Sequence, residues 1–554
     1  MDKKELLEKV YPKIEIPFIL EGISALIAKY EPLIDQRKKH LSEKDVMLIT
    51  YGDQVKSEGE APLTTLKSFL DTHLSEVINS VHVLPFYPYT SDDGFSVIDY
   101  KQVNPDLGDW KAIETLAADY EVMFDAVINH ISSKSPWLQG YLSNDPDYQD
   151  FFVDLPPDTD LSQVTRPRVS PLLTEFQDSH GRARNLWSTF SPDQIDINYA
   201  NPKVLLAILD VLLDYTSKGA RLIRLDAIGF MWKKRGTTCI HLEETHLLIQ
   251  LMRQVLEEAG TDAQLVTETN VPHLENISYF GDGHNEAHMV YNFTLPPLLA
   301  YSLLKQDVSV FVDWAASLTL PSDQVCFFNF LASHDGVGVR PLTGILPENE
   351  VQFLADQAVD HGGRVSYKTN PDGSKSPYEL NCVYFNLLSA DDEPVEQRIN
   401  KMMLAHAILL SMPGVPGIYF HSLVGSQNDQ KGVELTGQNR SINRKKLDLN
   451  TLTEQLRDTS SLRHQIFNGL KELIQLRIDE PCFAPKASFS IERIGAAAFI
   501  IKRTWQERAL TGVFNLSQSP ISIPETYMEG MKPITKGFQT ELGAFDFAWL
   551  VSVE

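Results

Sequence analysis

RLIRLDAIGF, residues 221–230, runs from a strand-length stretch of apolar and basic side chains straight into an aspartate, Asp226. Arg224 stands two residues earlier, so on an extended strand the two side chains share a face. Seven further runs of strand length flank it along the chain: VMLIT (46–50), VHVLPF (81–86), VMFDAVI (122–128), QLVT (264–267), HMVYNF (288–293), CFFNFL (326–331) and GIYF (417–420). Each ends in polar residues and leads into a longer stretch of helical period, the pattern of repeated βα units. Eight runs apolar enough for burial on both faces predict an α/β fold, a closed (β/α)8 TIM barrel. An open doubly wound sheet is disfavoured, because no glycine-rich phosphate turn follows Thr50.

Two intervals are too long for a single crossover helix: residues 131–200 and 337–395, both rich in Pro, Asp, Ser and Gly. They read as insertion domains after strands three and seven, roofing the face on which the strands end. The barrel then comprises residues 45–130, 201–336 and 396–479. Residues 1–44, with LLEKVY and ISALIAKYEPLIDQRKKH, predict a helical extension packed outside it. Beyond 480 the short runs AAAFIIKR and ALTGVFNL predict a C-terminal antiparallel β domain over 480–554.

A formal net charge of −25 without an arginine-rich arm argues against nucleic acid or an anionic membrane as partner. It leaves open a small anionic substrate held by a few local arginines or lysines. Cys239, Cys326, Cys382 and Cys482 share no spacing of a disulfide framework or zinc site, which fits a reducing compartment. The start MDKKELLEKVY has no apolar signal region, and no run approaches the ~18 apolar residues of a membrane span. A cytoplasmic protein with small-molecule partners is expected; oligomeric state is not legible, and a homodimer stays open.

Polar residues gather where strands end: Asp92 after the second, Asn129 and His130 after the third, Arg224 and Asp226 at the fourth, Glu268 at the fifth, His334 and Asp335 after the seventh. On a barrel those ends converge on one pocket. Cleaving an acetal asks for one carboxylate to attack the anomeric carbon, one carboxylic acid to protonate the departing oxygen, and negative charge beside an oxocarbenium-like transition state. Asp226, Glu268 and Asp335 can fill those roles. Any single one of these residues has a plainer reading, as a helix cap, an ion pair or a core histidine. Eight of them on the ends of five strands are hard to explain as coincident caps. In the functional reading Arg224 holds Asp226 ionised and oriented.

DAVINH (125–130), RLIRLDAIG (221–229), LVTETN (265–270) and NFLASHDG (329–336) resemble, in order, the four signature regions of the α-amylase superfamily, glycoside hydrolase family 13. LITYGD (48–53), LPFYPYTSDDGFSVIDY (84–100), TRPR (165–168), PYELN (377–381), and PGVPGIYF with NRSINRKK (within 413–446) narrow the resemblance to its sucrose phosphorylase branch. That resemblance implies a retaining glycoside phosphorylase with Asp226 as nucleophile, Glu268 as acid/base and Asp335 as transition-state stabiliser. It implies that Asp92, His130, Arg224, His334 and Arg440 hold the donor glucose, and that Arg168 and Tyr378 contact phosphate or the leaving group. Phe230 stands where a ring can lie against the cationic sugar. Double displacement calls for carboxyls ~5–5.5 Å apart. Neither a metal nor a cofactor is needed, and inorganic phosphate is a substrate.

The second insertion carries GGRVSYKTNPDGSKSPYELN (362–381), with Glu379 where sucrose phosphorylases resemble one another in having glutamine. A carboxylate accepts two hydroxyl hydrogen bonds but loses the amide's donor, which speaks against fructose. Arg364, Lys368 and Lys375 add charge to the same loop. In this the chain resembles the glucosylglycerate phosphorylases of the branch, whose leaving group, D-glycerate, offers a carboxylate to a lysine or arginine. Phosphorolysis of glucosylglycerol is the nearest alternative, then that of sucrose or sucrose 6'-phosphate. A plain hydrolase and a noncatalytic binding protein are other classes; the latter is disfavoured because all three carboxylates are present. Glu379 is expected to govern acceptor choice, with less influence on glucose 1-phosphate use.

Overall fold

Segments buried on both faces pair in parallel and close on themselves in the computed structural model, which describes residues 1–36, 40–369, 374–537 and 540–553. The strands are β1 (Met47–Thr50), β2 (Ser80–Val83), β3 (Glu121–Ala126), β4 (Ala220–Leu225), β5 (Gln264–Thr267), β6 (Met289–Tyr291), β7 (Cys326–Phe330) and β8 (Val415–Tyr419). Each lies beside its neighbours in the chain, and β8 closes the ring by pairing Gly417 with Met47 of β1. The expected (β/α)8 barrel is therefore the fold. Two runs are shorter than the sequence suggests. VHVLPF is strand only through Val83, since Pro85 has no N–H to continue a ladder, and HMVYNF is strand only over Met289–Tyr291.

Helices cover the outside. The one over Pro202–Ser217 starts where Asn201 accepts a hydrogen bond from the Lys203 N–H and Pro202 stands at its first turn, a start that needs no free amide. Its Leu205, Ile208, Leu209 and Leu212 are buried. Two helices near the N-terminus, Lys3–Val10 and Ile16–Tyr30, pack against the barrel helices. Gly22 permits that contact: a Cβ there would stand 2.6 Å from Leu206 Cδ1.

The first insertion holds two antiparallel strand pairs, His130–Ser132 with Gln194–Asp196 and Leu173–Gln177 with Ala183–Trp187. The second is more regular than its composition suggests. It contains a helix, Glu348–Asp360, and a three-stranded sheet of Val337–Gly338, Lys375–Asn381 and Arg364–Thr369. A five-stranded antiparallel sheet, Ser488–Arg493, Ala498–Trp505, Arg508–Asn515, Asp546–Ser552 and Met531–Pro533, forms the C-terminal end. The buried Arg503 guanidinium fastens it to the barrel by donating to the carbonyls of Ser411 (3.0 Å) and Ala484 (2.7 Å). With carbonyls rather than carboxylates around it, burial lowers its pKa to about 9. Among the described residues no helix is long and apolar enough to cross a membrane.

Candidate active site

The parallel register sets Asp125 of β3 opposite Arg224 of β4, and Arg224 opposite Val266 of β5, two residues before Glu268. Arg224 is 2% exposed and lies beneath the pocket floor. Its Nη1 donates to Asp125 Oδ1 and, at 2.8 Å, to Asp226 Oδ1; its Nη2 is 3.9 Å from Glu268 Oε2. One guanidinium thus gathers the carboxyls of residues 226 and 268 at the same face of the same cavity. Ala227, directly after Asp226, takes a left-handed backbone (φ 48°) and donates its N–H to Glu268 Oε2 at 3.0 Å. Such a conformation in a residue with a Cβ costs about 1–3 kcal/mol, so the surrounding fold must hold it.

Charge is divided unevenly along this row. Burial pushes the Asp125 carboxyl up, but Arg224 and His82, whose Nε2 is 2.6 Å from Asp125 Oδ2, outweigh it and hold it at about 2. Burial raises both Asp226 and Glu268 above the ordinary carboxylate range; Arg224 opposes this, while each feels further negative charge nearby. Arg224, expected to hold Asp226 ionised and oriented, makes that contact and works to lower its pKa, but burial outweighs it. The two raised carboxyls titrate as a pair, and the shared proton belongs on Glu268, since Asp226 has the direct ionic contact with Arg224 and Glu268 the longer one.

Eleven of the twelve site residues expected from sequence line one cavity: Asp92, His130, Arg168, Asp226, Phe230, Glu268, His334, Asp335, Tyr378, Glu379 and Arg440. Arg224, expected at the sugar, is the twelfth and sits below the wall. The cavity spans about 800 Å³ of empty space, open solvent at its mouth included. Arg440 Nη1 is 2.6 Å from Asp335 Oδ1, and its Nε and Nη2 grip Glu379 Oε1 (3.0 Å) and Oε2 (2.7 Å). Burial works to raise Asp335 and Glu379, yet Arg440 overcomes it and both stay below the usual range. His334 stacks on Phe95 (4.6 Å between centroids, 4° between planes), and burial lowers its pKa. His130 Nε2 approaches the Phe95 carbonyl at 2.9 Å. Phe230 meets Phe190 edge to face at 5.4 Å.

Three features differ from expectation. Glu379 is 2% exposed with both oxygens on Arg440 and Oε1 also accepting from Asn381 Nδ2 at 2.6 Å, so it is committed to the protein. Arg364 and Lys375 are exposed, and neither they nor Lys368 line the cavity. The wall includes Phe95, Phe190, Gln194, Asn270 and Arg340, which the sequence reading did not select. Phe95 and Asn270 fall inside recognised motifs and Arg340 follows Asp335 by five residues; Phe190 and Gln194 sit in an irregular segment without periodic signal.

Beneath His130, Lys233 Nζ contacts Asp196 Oδ2 (2.7 Å) and Asn129 Oδ1 (3.1 Å), which ties the first insertion to the barrel. Among the described residues no group of three His, Cys, Asp or Glu side chains is disposed to hold a metal.

Residues 74–343 match the family profile "Alpha amylase, catalytic domain". A glucosylglycerate phosphorylase of Escherichia coli (strain K12) is 46% identical over 552 residues, 99% of each chain. Another, of Allomeiothermus silvanus, is 51% identical over 82% of this chain and 81% of its own. Among solved structures, a sucrose 6F-phosphate phosphorylase from Thermoanaerobacter thermosaccharolyticum superposes with a TM-score of 0.76 at 24% identity, covering 86% of this chain and 95% of that one. Barrel, carboxylates and matches together define an enzyme of the α-amylase superfamily. Within it, the chain belongs to the family of the glucosylglycerate phosphorylases.

Proposed function

We propose that the protein catalyses the reversible phosphorolysis of 2-O-α-D-glucosyl-D-glycerate to α-D-glucose 1-phosphate and D-glycerate. Asp226 attacks the anomeric carbon as the bond to the glycerate oxygen breaks, and Glu268 gives its proton to that oxygen. A phosphate oxygen then attacks the β-glucosyl ester, returning a proton to Glu268 and freeing Asp226. Two inversions leave the configuration retained. The raised Glu268 supports the acid role, and Asp335, held anionic by Arg440, suits a developing oxocarbenium charge. Asp92, His130, His334 and Arg440 surround the donor side, where Phe95 and Phe230 offer ring faces.

The observation that carries the acceptor assignment is charge placement. Arg168 and Arg340 line the cavity, and among the described residues neither forms an ion pair, whereas Arg224, Arg440 and Arg444 each do. Two such arginines suit a pair of anions, phosphate and a carboxylic acid, better than glycerol or fructose. A cytoplasmic setting belongs to this reading, supported by four buried cysteines that are all unpaired.

Phosphate release from glucose 1-phosphate, followed across D-glycerate, glycerol, fructose and fructose 6-phosphate, tests it. D-Glycerate should give the highest kcat/KM. A higher value for any other acceptor removes the substrate assignment, and release that is independent of acceptor makes the protein a hydrolase.

A further inference from the structure

We infer that Arg340 receives the carboxylate of the acceptor and that the Asn270 amide receives its C3 hydroxyl, which makes Arg340 the determinant of an acid over a neutral polyol. The inference rests on glucosyl transfer to a small hydroxy acid, as proposed above, and names the residues that would select it. Arg364, Lys368 and Lys375, the cations that the loop sequence offers for this task, are all off the cavity wall.

Arg340 is placed by backbone rather than by charge. Val337 and Gly338 pair with Leu380 and Glu379 in the small sheet of the second insertion, and the Val339 N–H donates to the Tyr378 carbonyl at 3.1 Å. Arg340 comes next in the chain, so it is clamped beside Tyr378, and its charge acts on the Tyr378 hydroxyl and on Lys368. The same clamp brings Asn270 close: a Cβ on Gly338 would lie 2.4 Å from Asn270 Nδ2, so only glycine leaves the amide its position. Asn270 Oδ1 is buried and has no hydrogen-bond partner, and the residue lines the cavity. A buried amide oxygen without a donor is costly, and an incoming hydroxyl satisfies it.

Arg168 lies across the cavity mouth from the first insertion, its guanidinium 5.8 Å from the Tyr378 ring centroid, and its field reaches Asp335 and Glu379. Its reach to Asp335 suits the attacking phosphate. Arg340 is not among the charges that act most on Asp335; it acts on Tyr378, as Arg168 does. In a 2-O-glucosylated glycerate the carboxyl carbon is bonded to the same carbon that bears the reacting oxygen. The carboxylate therefore sits just beyond the scissile bond, and a guanidinium fork can meet it bidentately where an ammonium cannot.

The test compares kcat/KM for D-glycerate and for glycerol, with glucose 1-phosphate as donor, in the wild type, Arg340→Gln and Arg340→Lys. Arg340→Gln should lower the glycerate-over-glycerol ratio about 100-fold, the scale of charge-assisted hydrogen bonds removed from a buried anion. Arg340→Lys, which keeps the charge without the fork, should lose about 10-fold and act as the folding-tolerant variant. A ratio unchanged within twofold in either variant overturns the assignment, and because it is a ratio it does not move with a general loss of active protein. Should the wild type fail to use D-glycerate at all, the functional reading itself falls, which the same assay shows before any variant is made.

Discussion

Asp226, Glu268 and Asp335 stand where barrel strands end, fixed by parallel register and by buried guanidinium groups, whereas Arg168, Tyr378 and Arg340 stand on the two insertions, fixed by a local sheet and loop contacts. What we propose as the donor half is crowded with carboxylates already paired to arginines; the proposed acceptor half holds arginines that lack carboxylates. A barrel supplies the first arrangement almost automatically, since every strand delivers its last side chains to one face. The second depends on how two long excursions fold over that face. In the proposed reaction, chemistry is therefore a property of the barrel, and choice of acceptor a property of what is laid across it.

The strongest way to break this division is at the nucleophile and acid. Asp226→Asn or Glu268→Gln should lower turnover by about 10⁴-fold or more, because covalent and acid/base groups act as one unit. Stability should move the other way. Burial raises the Glu268 pKa, and the proton of the pair resides there, so the folded state holds a proton that the unfolded chain has released above about pH 4. Wild-type stability then falls as pH rises through the window between the ordinary and the raised value. Glu268→Gln abolishes this loss, so its melting temperature should exceed the wild-type value by a margin that widens from pH 5 to pH 8. A margin independent of pH would mean that Glu268 is not raised in the free enzyme.

Next in size is the anchor beneath the donor half. Arg224→Met leaves Asp125 and Asp226 buried without their guanidinium, and removing one partner from a buried pair costs about 3–5 kcal/mol. Denaturant unfolding should register that loss together with a deep fall in kcat. A stability change below about 1 kcal/mol would show that His82 alone satisfies Asp125.

Much of the donor half was legible in sequence because position along a buried strand determines where a side chain emerges. Asp226, two residues beyond Arg224, had to share its face, and the structure puts them 2.8 Å apart. The eight strands were legible for the same reason, through runs buried on both sides. What the sequence hid was pairing across distance. Nothing near PYELN announces that Arg440, some sixty residues on, takes both oxygens of Glu379, or that the strand holding Glu379 also fixes the backbone ahead of Arg340. Loop cations such as Lys375 look functional when counted along the chain, yet a hairpin sends them outward.

Glu379 is where the two halves meet, and Glu379→Gln sharpens the boundary. From sequence it should alter acceptor choice and spare the donor. The structure gives a different expectation, since Arg440 bridges Glu379 to Asp335 and lies 3.9 Å from Asp92. Weakening one end of that bridge loosens the residues around the glucosyl unit, so kcat/KM should fall about 10-fold or more for glucose 1-phosphate and D-glycerate alike. A loss confined to the acceptor would return Glu379 to direct acceptor contact.

The smallest effect is expected at the outer hairpin, and it isolates the acceptor wall from its surroundings. Arg364 and Lys375 are exposed at the two ends of the hairpin, and Arg364 Nη2 donates to Gln430 Oε1 at 3.4 Å. Charges in bulk-like solvent are screened within about 8 Å at physiological salt, so they add little to a carboxylate inside the cavity. Arg364→Ala and Lys375→Ala should each change the glycerate-over-glycerol ratio by less than about twofold at 0.15 M salt. A drop approaching that of Arg340→Gln would show that the hairpin folds inward when the acceptor binds, and that selection of the acid is shared between the wall and the loop above it.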